Sequence, residues 1–319
     1  MADPGKPRSI APILVLVGLS ALWALDSLRN DLLPGPFRAA EVLPPFERLS
    51  LYWLLLATAA AALARIQRAR RPSRRMAIHA SLIGLGLFAI PELLIHVAGT
   101  LVPAFTRVAM FSLAPVFAVV LEPYIGVPDY TPLRNGLLSA LVAVMGVLLL
   151  FPLDLPHSPA QYAAFSAVLL AVLLVASVNC LAVRVVVAYS HHATSLAAFA
   201  ASATAFTFFA IAAAAGNLAP LSFTLAPQAA WSLLVDFPAF VAFFWLLPHM
   251  VAARMTLRFL LAPLFAILFS FILFTPHISL RIAFGLALMA MGSAWMLFVP
   301  DSDASTHTSL LHLENNDNA

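Results

Sequence analysis

Long apolar runs separated by short polar segments dominate the sequence. Ten windows of about 20 residues are apolar enough to cross a bilayer. Because these runs are unbroken and rich in Leu and Ala, they predict α-helices rather than the short alternating strands of a membrane barrel. The predicted spans are 10–28, 48–65, 76–98, 101–121, 133–152, 160–183, 193–215, 229–248, 254–274 and 279–299.

The composition also indicates a membrane protein. Hydrophobic residues make up 62% of the 319 positions and charged residues only 10%, whereas soluble chains have roughly 45–50% apolar and about 25% charged residues. Too few polar side chains remain to cover a soluble core. The composition therefore excludes a soluble enzyme, a nucleic-acid-binding domain and a disordered scaffold.

The distribution of Lys and Arg predicts the orientation. With the N-terminus in the cytoplasm, 12 of these residues lie inside and 5 outside, and short cytoplasmic loops carry the excess of positive charge. We therefore expect both termini in the cytoplasm, with a short N-terminal segment over 1–9 and a disordered polar tail over 301–319. The loop after span 2 carries half of these 12 cytoplasmic Lys and Arg residues, and its charge is expected to set the topology. It could also contact anionic lipid through Arg68, Arg70, Arg71, Arg74 and Arg75.

Two parts of the chain repeat each other. Residues 113–118 read LAPVFA, and residues 261–266 read LAPLFA, 148 positions later. The spans that follow share a Met-Gly pair, at 145–146 and at 291–292. The predicted fold is thus an all-α integral membrane protein of ten transmembrane helices in two five-helix repeats, 10–152 and 153–300. Because five is odd, the repeats are inverted, which is a recurring transporter architecture with the substrate site between the halves.

Short features along the chain match the pattern of one transporter family. They are Leu22-Trp23, Pro44-Pro45, Arg48, Pro115, Gly146, Pro263 and Gly292. With these residues the chain resembles the drug/metabolite transporter superfamily and, within it, the EamA-like ten-helix exporters, although Ala24 stands where that family often has Gly. The resemblance covers about residues 10–300. It implies a secondary transporter of the bacterial inner membrane that exports a small polar or amphipathic metabolite by alternating access.

Three ionisable residues lie inside the third and fourth spans. An ionisable side chain within a bilayer is costly, so it usually faces a cavity or a partner. Glu92 and His96 are four residues apart and share one helix face. Glu92 and Arg107 are each about 11 Å along their helices from a hairpin tip at Gly99-Thr100, so we expect them at one depth and within salt-bridge reach. Two roles are open for them: a structural ion pair, or a substrate or proton site.

Asp236, Pro115 and Pro263 complete the candidate site. Asp236 precedes Phe237-Pro238 within an apolar run, a combination typical of a kinked helix that faces a cavity, and both a functional and a structural role are open for it. A proline deep in a span frees a carbonyl group and bends the helix. Pro115 and Pro263 are therefore expected to act as hinges or to shape the cavity rather than to bind substrate.

The remaining polar and aromatic residues in the spans are expected to have structural roles. Asp26 is expected at the outer headgroups, and Asn179 is expected to bond another helix. Three arginines at predicted cytoplasmic span ends should extend to the interface: Arg184, Arg254 and Arg258. The tryptophans suit an aromatic belt near the span ends; they are Trp23, Trp53, Trp231, Trp245 and Trp295.

Sequence signatures of catalysis are absent. The chain has no HExxH or GxGD motif, no Cys/His zinc pattern and no ATP-binding P-loop. We therefore expect no catalytic residues, metal, cofactor or nucleic-acid partner; the expected partners are a small-molecule substrate and the bilayer. The alternative is an integral-membrane enzyme acting on a lipid-linked substrate. A cavity lined by both halves would favour transport, whereas a cluster of His and acidic residues on one side would favour the enzyme.

Overall fold

A computed structural model describes residues 10–29, 44–69, 73–125, 129–216, 226–274, 279–298 and 302–303. Within these residues the protein is almost entirely helical. Nine helices are long and apolar enough to cross a membrane, and a further apolar helix, α1, is shorter. The helices are α1 (Ala11–Ser27), α2 (Pro45–Ile66), α3 (Arg74–Leu101), α4 (Ala104–Ile125), α5 (Leu133–Leu150), α6 (Pro159–Val186), α7 (Ala193–Ala214), α8 (Pro227–Leu246), α9 (Ala252–Phe274) and α10 (Leu280–Phe298). The protein is therefore an all-α, multi-pass membrane protein.

Local sequence signals determine where several helices begin and end. Ser73 precedes α3, and its hydroxyl oxygen accepts a hydrogen bond from the backbone N–H of Met76 at 3.2 Å. Ser158 caps α6 in the same way, which satisfies a first-turn N–H that has no partner within the helix. Gly99 ends the α-helical part of α3 and begins its last, 3-10 turn, Gly99–Leu101. Its φ of 52° is a conformation that glycine adopts without steric cost, and the chain turns toward α4 within a few residues of the predicted tip.

α3 and α8 each contain one π-helical turn just before a proline. The turns are Leu85–Ala89 and Ser232–Asp236, and Pro91 and Pro238 follow them at the same spacing. A proline removes one backbone donor, and its ring clashes with the carbonyl group four residues earlier. The wider π turn accommodates both effects. Each helix therefore continues through its proline instead of ending there.

α4 and α9 are each interrupted by a short turn. α4 consists of Ala104–Phe111 and Ala114–Ile125, and α9 consists of Ala252–Thr256 and Arg258–Phe274. Residues 250–258, which include the start of α9, are buried throughout. The start of α9 thus lies inside the bundle rather than at its edge.

Helix packing brings distant parts of the chain together. The most extensive contacts join α2 to α7 and α5 to α10. α1 packs on α8 and α9, and α6 packs on α3 and α4. Large side chains that are fully buried between these helices include Leu16, Leu56, Phe208 and Phe243. The first five helices are therefore packed against the last five along much of the bundle.

α5 and α10 approach each other at small residues. A Cβ atom on Gly146 would lie 2.5 Å from the Gly285 carbonyl oxygen. A Cβ atom on Gly292 would lie 2.5 Å from the backbone nitrogen of Ala143 and 2.6 Å from the carbonyl oxygen of Ser139. Small residues of this kind allow membrane helices to pack by close backbone contact.

A short antiparallel pairing joins Asp129–Tyr130 to Ser302–Asp303. It connects the segment after α4 with the segment after α10. The backbone of Ser302 and Asp303 thus has a pairing partner that polar composition does not reveal, and the disorder of the tail over 301–319 stays a prediction. The rest of that tail, the predicted N-terminal segment 1–9, Arg70 and Arg71 lie outside the described residues.

Candidate functional site

A cavity of about 360 Å³, called here the main cavity, lies between six helices. α1, α2, α3 and α4 contribute to its walls, as do α6 and α9 from the second half of the chain. The lining is mostly aliphatic and aromatic, with Tyr52, Glu92 and Arg258 as polar groups. A second cavity of about 280 Å³ shares four lining residues with it: Trp23, Phe111, Arg258 and Phe259.

Arg258 lines both cavities and is only 3% exposed. Its guanidinium carbon lies 4.5 Å from the ring centroid of Phe243, 4.6 Å from that of Phe259 and 5.5 Å from that of Trp23. At such distances the faces of aromatic rings attract a cation. Rings from α1, α8 and α9 therefore stabilise the charge inside the bundle.

The hydrogen bonds of Arg258 hold one side of its guanidinium group. Nη1 donates to the Asn179 side-chain oxygen and to the Met255 carbonyl oxygen, each at 3.2 Å. Nε is buried and has no hydrogen-bond partner among the residues that the structure describes. The prediction that Asn179 bonds another helix is thus confirmed, and its partner is a cavity residue.

The expectation that Arg258 extends to the cytoplasmic interface is wrong. The chain before it is buried from residue 250 onward, so Arg258 enters the bundle instead. The same expectation is wrong for Arg254, which is 7% exposed and whose Nε donates to the Met296 carbonyl oxygen at 3.3 Å. Arg184 is exposed and donates from Nη1 to the Ile125 carbonyl oxygen at 2.7 Å, as expected for a residue near a span end.

Glu92 lines the main cavity. Arg107, His96 and Arg48 interact electrostatically with the Glu92 carboxyl group, and the interaction with Arg107 is the strongest of the three. His96 is exposed and packs against Phe46, with ring centroids 4.5 Å apart. Three basic side chains thus act on the one acidic group of this wall, and a direct contact between Glu92 and Arg107 stays a prediction.

Asp236 is buried next to a residue of the main cavity. Side-chain hydrogen bonds join its carboxyl group to Ser232 and to Tyr52, and Tyr52 lines the cavity. Asp26 interacts electrostatically with this carboxyl group. The Asp26 Oδ1 atom also accepts a hydrogen bond from Trp231 Nε1 at 2.8 Å. Asp26 therefore connects α1 to α8 instead of simply extending toward the headgroups.

Pro115 and Pro263 follow two aromatic residues of the cavity walls. Each proline lacks the N–H that would bond the carbonyl group four residues earlier, at Phe111 and at Phe259 respectively. These two phenylalanines line both cavities, and their ring centroids are 5.4 Å apart. Pro263 itself lines the second cavity, whereas Pro115 is buried. The hinge or cavity-shaping role of both prolines stays a prediction.

The sequence analysis missed three residues of this region. Trp23 and Trp53 line the main cavity, so the aromatic-belt interpretation is wrong for both. Glu122 is fully buried; Oε2 accepts from the Thr131 N–H at 3.0 Å and Oε1 from the Ala253 N–H at 2.6 Å. Its carboxylate caps the buried start of α9 and fixes the α4–α5 connection. The signal in the sequence was an acidic residue before a proline, directly after the predicted span 101–121.

The arrangement is suited to binding a small molecule. Tyr52, Glu92 and Arg258 present polar groups on otherwise apolar walls, a distribution typical of pockets that orient an amphipathic ligand. In the part of the chain that the structure describes, no group of three or more His, Cys, Asp or Glu side chains could hold a metal ion.

Comparisons with known proteins give a fold and no family. No family model and no curated protein matches the chain. Among solved structures, 28 chains match. One crystal structure of a protein aligns with a TM-score of 0.69 and 16% sequence identity, covering 92% of this chain and 99% of that chain. At this identity the likeness concerns the fold alone.

Proposed function

We propose that the protein is a secondary transporter that moves a small amphipathic metabolite through the main cavity by alternating access. The observation that carries the proposal is that helices from both halves of the chain line this cavity. A site between two halves is the position expected for a transporter built from inverted repeats. Together with the resemblance to EamA-like exporters, this position favours an exporter of the bacterial inner membrane.

We include α1 as a tenth span. Its 17 residues extend about 25 Å, and transmembrane helices need about 17–25 residues. α1 packs against α8 and α9, which are both long enough to cross a membrane. These contacts support a helix that crosses with its neighbours rather than one that lies on the surface.

The helix contacts support two inverted five-helix repeats. In two five-helix repeats, each helix of the first repeat corresponds to the helix five places later. Exchanging the repeats then leaves the contacts α2–α7 and α5–α10 unchanged. The contacts of α6 with α3 and α4 then correspond to those of α1 with α8 and α9, and both sets occur. A two-fold axis between the halves accounts for this exchange.

The crossing of α5 and α10 supports the same relation at the level of single residues. Gly146 faces Gly285, and Gly292 faces Ser139. Gly146 and Gly292 are 146 positions apart, and so are Ser139 and Gly285. Exchanging the halves therefore converts one contact into the other, as in a symmetric dimer interface.

Two further features recur at nearly the same offset. The π turns of α3 and α8 begin 147 positions apart, and each precedes a proline. Phe111 and Phe259 are 148 positions apart and contact each other. Contact between equivalent residues is expected close to a two-fold axis, and these two residues line the cavities.

The pairing of Asp129–Tyr130 with Ser302–Asp303 supports the proposed topology. Its two strands, one between α4 and α5 and one after α10, must lie on the same side of the membrane. This agrees with the six spans between them, because an even number of spans returns the chain to the same side. With both termini in the cytoplasm, the exposed Arg68, after α2, and Arg74 and Arg75, at the start of α3, lie on that side as well. This placement agrees with the positive-inside tendency and with contact to anionic lipid.

Transport measurements in inverted membrane vesicles test the proposal. Vesicles that contain the protein should accumulate at least one member of a panel of small amphipathic metabolites, and a proton gradient should change the rate. Leu49→Trp should block this uptake, because Leu49 lines the main cavity. Leu138→Trp is the matched control, because Leu138 is 45% exposed on the outer face of α5, and it should leave uptake unchanged.

Two results would count against transport. The first is the absence of protein-dependent uptake for every compound, with and without the gradient. The second is an equal loss of uptake in Leu49→Trp and Leu138→Trp, which would mean that uptake does not depend on the main cavity. Conversion of a lipid-linked substrate by the same vesicles would favour the enzyme alternative.

A further inference from the structure

Arg258 carries a buried charge that no acidic side chain of the described residues offsets. Within the described part of the chain, no carboxylate interacts with its guanidinium group. Glu92 on the same cavity is different, because Arg107, His96 and Arg48 act on it. Aromatic rings attract the Arg258 cation but do not neutralise it. A buried charge without a counter-charge is unfavourable, so a ligand of opposite sign in the cavity would be bound preferentially.

The free edge of the Arg258 guanidinium group suits a carboxylate. Both of its hydrogen bonds to described residues leave from Nη1, and none of these residues bonds the buried Nε. Nε–H and one N–H of Nη2 point in the same direction and form a fork that a carboxylate accepts with its two oxygens. Asn179 and Met255 therefore hold the guanidinium group through Nη1 and leave its Nε–H and Nη2 edge without a hydrogen bond to a described residue.

The walls around this fork suit an apolar body. Aliphatic residues from α2, α3 and α6 line the main cavity, and so do Trp23, Phe111 and Phe259. A volume of about 360 Å³ is near the lower end of the range for small-molecule pockets. It admits one aromatic ring with a short side chain rather than a nucleotide or a lipid-linked sugar.

We propose that Arg258 binds the carboxylate of a small organic acid whose apolar body occupies the main cavity. The further step, that such an acid is the transported compound, rests on the proposed function. The binding itself requires only the cavity and its arginine, so the two statements can be tested separately.

Three compounds with the same ring and chain length provide the test: 3-phenylpropionate, its neutral amide, and 3-phenylpropylamine. Binding to the purified full-length protein in detergent is followed by the quenching of tryptophan fluorescence and by the thermal unfolding temperature. Trp23 lines the cavity and lies 5.5 Å from the guanidinium carbon, so its emission should respond. We expect the acid to bind at least tenfold more tightly than the amide or the amine.

Variants assign this preference to Arg258. Arg258→Gln should abolish the preference for the acid, and Arg258→Lys, which keeps the charge and loses the fork, should weaken acid binding about three- to tenfold. Arg184→Gln is the matched control, because Arg184 is exposed and lines neither cavity; it should bind the acid like the wild type.

Equal binding of the acid and the amide to the wild-type protein would overturn the proposal, and this comparison requires no variant to fold. A full acid preference in folded Arg258→Gln would overturn it as well. If the acid binds but no vesicle transports any compound, the proposed function fails and the anion site stands. If other compounds are transported and the acid does not bind, the anion site alone fails.

Discussion

The crossing of α5 and α10 allows a quantitative test of the two-fold relation between the halves. Gly146→Ala would put a methyl group 2.5 Å from the Gly285 carbonyl oxygen, and Gly292→Ala would put one 2.5 Å from the Ala143 backbone nitrogen. Both neighbours are backbone atoms, which cannot rotate away. The two helices must therefore separate by about 1 Å to restore ordinary contact distances of ~3.5 Å.

The expected cost follows from two opposing effects. Overpacking a tight site costs about 1–3 kcal/mol, and a backbone clash favours the upper end of that range. Alanine also stabilises a helix by about 1 kcal/mol relative to glycine. Each substitution should therefore lower the free energy of unfolding by about 2 kcal/mol. Gly18→Ala is the matched control, because nothing lies within 4 Å of its added Cβ, and it should be neutral or slightly stabilising.

Thermal unfolding in one detergent measures these effects. With an unfolding entropy of about 2.1 cal/mol/K per residue over 319 residues, a loss of about 2 kcal/mol corresponds to a Tm roughly 3 °C below that of the wild type. Because the contacts exchange under the two-fold relation, Gly146→Ala and Gly292→Ala should show similar losses. The double variant should lose less than the sum, since one separation of the helices relieves both clashes. A Tm like that of Gly18→Ala for either variant, or destabilisation of only one of the two, would contradict the two-fold relation.

Three further predictions concern charges and topology. Arg107→Leu alone should impair folding because it leaves Glu92 without its strongest basic neighbour. Adding Glu92→Leu should restore folding, and vesicle uptake then separates the roles: restored uptake indicates a structural pair, and lost uptake a functional one. Glu122→Gln should lower the free energy of unfolding by about 1–3 kcal/mol, because a Gln amide has one acceptor oxygen and leaves one of the two backbone N–H groups unpaired. An unchanged Tm would contradict the capping role. Reporter fusions at Asp301 and within Arg68–Arg75 should both give cytoplasmic signals, and a periplasmic signal at either would contradict ten spans.

The helices could be predicted from the sequence because crossing a bilayer requires a long apolar run, which is a local property. The predicted spans 133–152 and 254–274 correspond to Leu133–Leu150 and Ala252–Phe274. The π turns of α3 and α8 were not predicted. A proline in an apolar run is compatible with a kink, a break or a widened turn, and the packing of neighbouring helices selects among these.

The site was predictable only in part, because the depth of a residue depends on the path of the chain before it. The cost of a buried charge drew attention to Glu92, and the structure has it on the main cavity. The same reasoning misplaced Arg258, whose sequence position indicates a span end, because the preceding connection turns into the bundle. Glu122 was missed because its two partners, Thr131 and Ala253, meet only after α4, α5 and α9 have assembled.

If the protein works by alternating access, one thiol in its cavity should react with a reagent from both sides of the membrane. Cys180 is buried and is the one cysteine of the sequence, so a Cys180→Ala background allows a single new thiol at Ala262, which lines the second cavity beside Arg258. Ala287→Cys is the control, since Ala287 is exposed on the outer face of α10. It should not react with a reagent that cannot enter the bilayer.

The measurement is the rate at which a membrane-impermeant maleimide reacts with Ala262→Cys, applied in turn to right-side-out and inverted vesicles. We expect the thiol to react from both sides. Labelling from one side should prevent later labelling from the other, and a transported compound should change the ratio of the two rates. Reaction from one side only, with and without compound and gradient, would contradict alternating access.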